Sequence, residues 1–112
     1  MMATADLTDS RTQARYEARA KIIKALAHPT RLFIVDVLAK EPHCVCELTA
    51  MVGADTSTVS KHLSILKESG IVADEKRGTQ VYYRLHTPCV LNFLNCAEAV
   101  MKVQLEQQLA VA

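Results

Sequence analysis

Two cysteines one residue apart, Cys44 and Cys46, stand in the stretch HCVCELTAMVG, and two more, Cys89 and Cys96, follow towards the C-terminal end. Such thiols can ligate a soft ion, report oxidation, exchange disulfides or simply pack as small buried hydrophobes. The opening MMATADLTDSRTQARYEARA has no apolar secretory core. No apolar run reaches the length of a membrane span. The expectation is therefore a cytoplasmic protein that uses no membrane. In a reducing compartment four cysteines are not expected to form a disulfide framework, which leaves metal binding or redox sensing as the functional readings against plain packing. A thiol–disulfide enzyme ordinarily uses C-x-x-C beside a βαβ pattern, whereas this chain has C-x-C in a helical setting. No Ser/His/Asp constellation, phosphate loop or paired acid–base carboxylates appear, so no catalytic residue is expected. His43, next to Cys44, is a candidate nitrogen ligand, while His28 and His86 read as structural.

The elements that must carry these thiols follow from pattern and punctuation. At 112 residues, half of them apolar and 22% charged, the chain reads as one globular domain over 1–112, with residues 1–9 expected to be flexible. Tyr16, Ala20, Ile23 and Ala27 recur at helical steps across Ser10 to Ala27, and His28-Pro29 ends that pattern. A second helix is expected from Thr30 to Ala39. A third, of two to three turns, contains the C-x-C stretch and ends at Gly53. A fourth runs from Thr56 to Ser69 and stops at Gly70. IVADEKRGTQVYYRL alternates and turns at Arg77-Gly78-Thr79, so it reads as a hairpin. Pro88 suits the first turn of a last helix, from Cys89 to about Leu109. The order is α-α-α-α-β-β-α, a mainly α fold.

Two short helices joined by a tight Gly-containing turn make a helix-turn-helix, and a hairpin directly behind them makes a wing. In the fourth helix Val59, Leu63 and Leu66 form one buried stripe. Ser57, Lys61 and Ser64 fall opposite, with Thr58 and His62 on the flanks. A core-locked back and a front of short hydroxyls and cations is what a DNA-reading helix requires. The candidate DNA contacts are Thr56, Ser57, Thr58, Ser60, Lys61, His62, Ser64 and Lys67, with Arg77 and Gln80 flanking the hairpin tip. Net charge is only +1, but residues 11–31 carry six cations against Glu17 alone, which is compatible with nucleic acid without requiring it.

LAHPTRLFIVDVL, CVCEL, TSTVSKHLSILKESGIV and RGTQVYYRL, in that order over about residues 19 to 97, closely resemble the arsenic and heavy-metal sensing repressors of the ArsR/SmtB family. The resemblance implies a homodimeric winged helix-turn-helix, paired through its first and last helices. It further implies a repressor that holds operator DNA, an imperfect inverted repeat, and lets go when metal binds. The residues themselves support pairing. The last helix carries apolar residues on more than one face, among them Leu91, Phe93, Leu94, Val100, Met101 and Leu105.

By the same resemblance, Cys44 and Cys46 supply thiolates to a soft ion, arsenite or antimonite first. In a regular helix positions i and i+2 lie about 200° apart and cannot share one ion, so Cys44 must sit in the lead-in or the first turn must distort. A helix N-terminus should also lower the thiol pKa. Binding would then pull on the helix that positions residues 56–69. The chain departs from the relatives in several places. Thr49 stands where arsenic sensors of the best-known type have a third cysteine, and no cysteine precedes Cys44, unlike cadmium and lead sensors. The last helix lacks the histidines of zinc sensors, and Asp36 replaces the second-helix cysteine of sulfide sensors. Trivalent arsenic favours three sulfurs, so a third must come from Cys89, the expected ligand, or alternatively Cys96, from the same or a second chain. Those two lie about 10 Å apart along one helix and cannot both join one ion from the same chain. Oxidation of Cys44 and Cys46 and response to cadmium or lead remain alternative triggers.

Overall fold

The computed structural model describes residues 6–111, so the first five residues of the flexible lead-in expected at 1–9 lie outside the described residues. Asp6 to Asp9 make a turn, and the Asp9 carboxylate accepts the Thr12 amide at 3.0 Å, capping α1 (Ser10–Leu26). His28 does the same for α2 (Pro29–Lys40): its Nδ1 accepts the Thr30 amide at 3.1 Å, and Pro29 occupies the first turn, where its missing N–H costs nothing. The second helix therefore starts one residue before the position expected.

The chain next makes a two-residue strand that the sequence gives no sign of, β1 (His43–Cys44), before entering α3 (Val45–Val52). Gly53 closes α3 at φ 77°, a left-handed position that a side chain would resist, and so permits the tight turn into α4 (Thr56–Glu68). The Asp55 carboxylate accepts the Thr58 amide at 2.7 Å and fixes where α4 begins.

β2 (Val72–Arg77) and β3 (Gln80–Leu85) form the expected hairpin, and β1 adds to the other edge of β3, giving an antiparallel sheet in the order β1-β3-β2. Arg77 pairs with Gln80, so the loop is Gly78-Thr79 alone. Gly78 has φ 64° while Thr79 does not go positive, the pattern of a type II′ turn, whose twist suits a two-residue hairpin. α5 (Val90–Val111) follows a run of i to i+3 turns through Thr87, Pro88 and Cys89, so Cys89 precedes the last helix instead of opening it.

One core unites these pieces. Ile34 and Val35 of α2, Leu48 of α3, Val59, Leu63 and Leu66 of α4 and Val72 of β2 are all but fully buried and pack into a single cluster. The stripe predicted for α4 thus holds that helix rigidly from behind. α5 differs: Phe93, Val100, Met101, Leu105 and Leu109 are at least half exposed. With Ile23 and Leu26 of α1 and Leu32 of α2, Phe93, Leu94 and Met101 line an apolar groove of 330 Å³. No described helix is long and apolar enough to cross a membrane.

Candidate functional site

Cys44 is the N-cap of α3, with extended backbone (φ −77°, ψ 162°), and Cys46 is the second residue of the helix. The extended cap removes the angular obstacle that a regular helix would impose, and the two sulfurs converge to 2.8 Å. That is closer than packed thiols stand, yet longer than the bond of about 2.05 Å in a disulfide. Cys44 is held by its surroundings. Its backbone belongs to β1, its amide donates to Glu47 Oε1 at 3.0 Å, and it is 3% exposed. Cys46 is exposed. An ion with bonds of about 2.3 Å to sulfur requires its sulfurs roughly 3.7 Å apart, so rotating Cys46 by about 1 Å would open the pair to receive one.

The expected lowering of the thiol pKa at the helix start does not hold for Cys44. The neighbouring Cys46 thiol first, and burial second, push the Cys44 thiol above the ordinary cysteine range, outweighing the Glu47 backbone N–H that points at its sulfur. Glu47 is held low because its carboxylate accepts the Cys44 amide. His43 Nδ1 lies 3.4 Å from the same carboxylate oxygen without a hydrogen bond, and its other nitrogen is 3.8 Å from Glu41.

A cleft of 340 Å³ opens in front of the sulfurs, lined by Cys44, Val45 and Cys46, by Thr56 of α4 and by Thr79, Gln80 and Val81 of the hairpin. Cys89 and Cys96 are exposed and are not among its walls. Among the described residues no group of three or more His, Cys, Asp or Glu comes together as a metal site. One protomer thus offers two sulfurs at this cleft, and it does not bring Cys89 to them.

The α4 face divides the candidate DNA residues. Thr56, Ser57, Thr58, Lys61 and Ser64 are exposed, and Ser60 is half-buried at the edge. Ser57 Oγ donates to Asp55 at 2.9 Å. Four residues have partners the sequence did not indicate. His62 lies beside the buried stripe and packs its ring 4.5 Å from that of His28, with Nδ1 buried and unpartnered, so it faces α2 and the core instead of a groove. Burial, then His28 and Arg31, hold its pKa below the usual histidine value. Lys67 Nζ is 2.9 Å from Asp74 Oδ2, which raises its pKa and ties α4 to β2. Arg77 is on the hairpin tip as expected, but its Nε is 2.7 Å from Glu75 and its guanidinium lies 4.6 Å over the Tyr82 ring. Gln80 faces the thiol cleft, with Oε1 3.9 Å from Cys46 Sγ. Sequence reasoning missed Asp55 and Glu47. Both carried a signal, an acidic residue just before a helix and an acidic residue three after an N-cap.

A capped helix pair on one core, with an exposed hydroxyl-and-lysine face and an antiparallel wing behind it, defines a winged helix-turn-helix of the DNA-binding class. The description "Bacterial regulatory protein, arsR family" matches residues 28–74, from the His28 cap into β2. The chain is 32% identical over 97 residues to the uncharacterized HTH-type transcriptional regulator Rv0081 of Mycobacterium tuberculosis, covering 86% of this chain and 85% of that one. It is 31% identical over 101 residues to the biofilm growth-associated repressor of Xylella fastidiosa, covering 90% and 89%. The arsenic resistance transcriptional regulator ArsR1 of Pseudomonas putida shares 42% identity over 66 residues, 58% of this chain and 52% of that one. The solution structure of Mb0332 from Mycobacterium bovis superposes with a TM-score of 0.77 at 31% identity, covering 88% of this chain and 92% of that one. It is described as a homodimeric winged helix-turn-helix DNA-binding domain of a possible ArsR-family regulator. The chain belongs to the arsR family of bacterial regulatory proteins.

Proposed function

We propose that the protein is a cytoplasmic, homodimeric repressor that releases its operator when a thiophilic ion, arsenite or antimonite first, binds the Cys44–Cys46 pair. The observation that carries this reading is the convergence of the two sulfurs at 2.8 Å, beside a cleft whose walls belong to α4 and the wing. The name of the Pseudomonas relative, an arsenic resistance regulator, points the same way. Dimerisation through α1 and α5 would cover the apolar groove and the exposed face of α5, and the Mycobacterium bovis relative is homodimeric. A two-fold dimer sets two copies of α4 in successive turns of the major groove, which calls for an imperfect inverted repeat. Within each half-site Ser57, Lys61 and Ser64 face the groove, and Thr56, Thr58 and Ser60 border it.

Arsenite condenses with two thiols to give a dithiolate that keeps one hydroxyl, releasing two waters: As(OH)3 + 2 RSH gives (RS)2AsOH + 2 H2O. A third thiol would replace that hydroxyl with loss of another water. Cys89, or alternatively Cys96, contributed by a second copy of the chain, is the candidate. Sulfur coordination number from X-ray absorption, with Cys89→Ser and Cys96→Ser, decides this: a drop from three sulfurs to two marks the ligand, and an unchanged three in Cys89→Ser passes the role to Cys96.

The same 2.8 Å approach favours a second trigger, oxidation by a peroxide: 2 RSH + H2O2 gives RSSR + 2 H2O. Cadmium and lead remain further candidates for the same sulfurs. Titrating operator DNA with the reduced protein alone, with arsenite, with cadmium or lead, and with peroxide separates these triggers. Release by arsenite supports the reading, and release by peroxide alone replaces it.

A further inference from the structure

The thiol pair is fastened to the wing more directly than to the helix that reads DNA. The Cys44 backbone pairs with Tyr82 of β3, and His43 pairs with Tyr83. Cys46 Sγ donates towards Gln80 Oε1 at 3.9 Å, and Thr79, Gln80 and Val81 form one wall of the cleft in front of the sulfurs. From α4 the cleft receives only Thr56. α4 is also the harder element to move, because Val59, Leu63 and Leu66 are completely buried, whereas every residue of the hairpin from Asp74 to Gln80 is exposed. Shifting α4 would open the core; shifting the hairpin tip would not.

We propose that the wing, through Gln80, is the element that carries the state of the Cys44–Cys46 pair to DNA, ahead of any movement of α3 and α4. This rests on the proposed role of the pair as the inducer site. In the free protein the Cys46 thiol has a proton to give to Gln80. Once that sulfur is bonded to an ion the proton is gone, and the ion with its remaining ligand occupies the cleft against the Gln80 side chain. A thiol is a weak donor, so the lever is chiefly the volume that enters the cleft. Gln80 must then turn away, and as the first residue of β3, opposite Arg77, it takes the two-residue loop with it.

The test uses the full chain, reduced, with arsenite as the probe. Operator Kd is measured without and with saturating arsenite in wild type and in Gln80→Ala, and the two values are taken as a ratio, because Gln80 also flanks the DNA-facing tip. The wild-type ratio is expected on the order of 5- to 150-fold, the usual span of allosteric coupling. In Gln80→Ala the ratio falls towards one, while arsenite still binds with the wild-type stoichiometry. Amide exchange in the wild type should accelerate on arsenite binding at residues 79–82 and remain unchanged across 59–66. A full wild-type ratio retained in Gln80→Ala, or exchange that changes across 59–66 and not at 79–82, overturns the wing as carrier. A wild-type ratio of one overturns the inducer site together with it.

Discussion

Lys61 and Lys67 look alike in the sequence, two lysines on one helix, yet the structure gives them different work and hence different salt signatures. Lys61 is exposed on the face opposite the buried stripe and has no ion-pair partner among the described residues. Lys67 is engaged with Asp74 at 2.9 Å. A lysine that neutralises one phosphate releases condensed counterions and contributes about 0.9 to the slope of log K against log salt. A dimer presents two copies of Lys61, so Lys61→Ala should flatten the slope by about 1.8. Between about 50 and 200 mM salt, a fourfold change, that corresponds to roughly tenfold less loss of affinity than wild type suffers. Lys67→Ala should change the slope by far less, because its charge is already paired with Asp74. Fluorescence anisotropy on a labelled operator across a salt series measures both. Equal slopes for wild type and Lys61→Ala, or a larger change in Lys67→Ala, would remove the outer face of α4 from the phosphate backbone.

Asp55→Ala should lower stability through loss of the α4 cap, read as a drop in the urea midpoint with unchanged slope. The pKa of His62 is lowered in the fold, so the unfolded chain takes up its proton first as pH falls. Its contribution is present above about pH 6.5 and is lost as pH drops through the lower folded value; His62→Gln should flatten the pH dependence of the urea midpoint there. Arg77→Ala should weaken operator binding and leave arsenite affinity nearly intact, since the tip is exposed and Arg77 is not among the walls of the thiol cleft. Cadmium binding to the pair displaces a proton from the Cys44 thiol, whose pKa is raised, so cadmium affinity should tighten as pH rises through neutrality. Arsenite, which leaves as water what it takes as hydroxyl, should bind with almost no pH slope; a steep slope for arsenite would contradict the condensation.

The helices were legible because proline and glycine punctuation and the 3.6-residue stripe agree in this chain. Pro29 stands in the first turn of α2, Gly53 and Gly70 follow the ends of α3 and α4, and Val59, Leu63 and Leu66 are buried as the spacing requires. β1 was not legible, because two residues carry no period and pair only once β3 is folded beside them. The convergence of Cys44 and Cys46 was readable only as a condition, that Cys44 sit outside the helix, and that condition depended on β1. Side-chain partners were harder still. Nothing in the spacing of His28 and His62, or of Lys67 and Asp74, shows that α2 meets α4 there or that β2 returns beneath Lys67. The direction of Gln80, towards a sulfur rather than a phosphate, depends on which face of β3 meets α3, and a one-residue change of register would reverse it.

The central claim, that Cys44 and Cys46 together form the inducer site, is tested most directly by arsenite-driven release of operator DNA from reduced Cys44→Ser and Cys46→Ser proteins. Both variants should bind the operator without arsenite within a few-fold of wild type. Arsenite should weaken the wild-type complex on the order of 5- to 150-fold and leave both variant complexes intact. Release of either variant by arsenite at the wild-type concentration would contradict the claim.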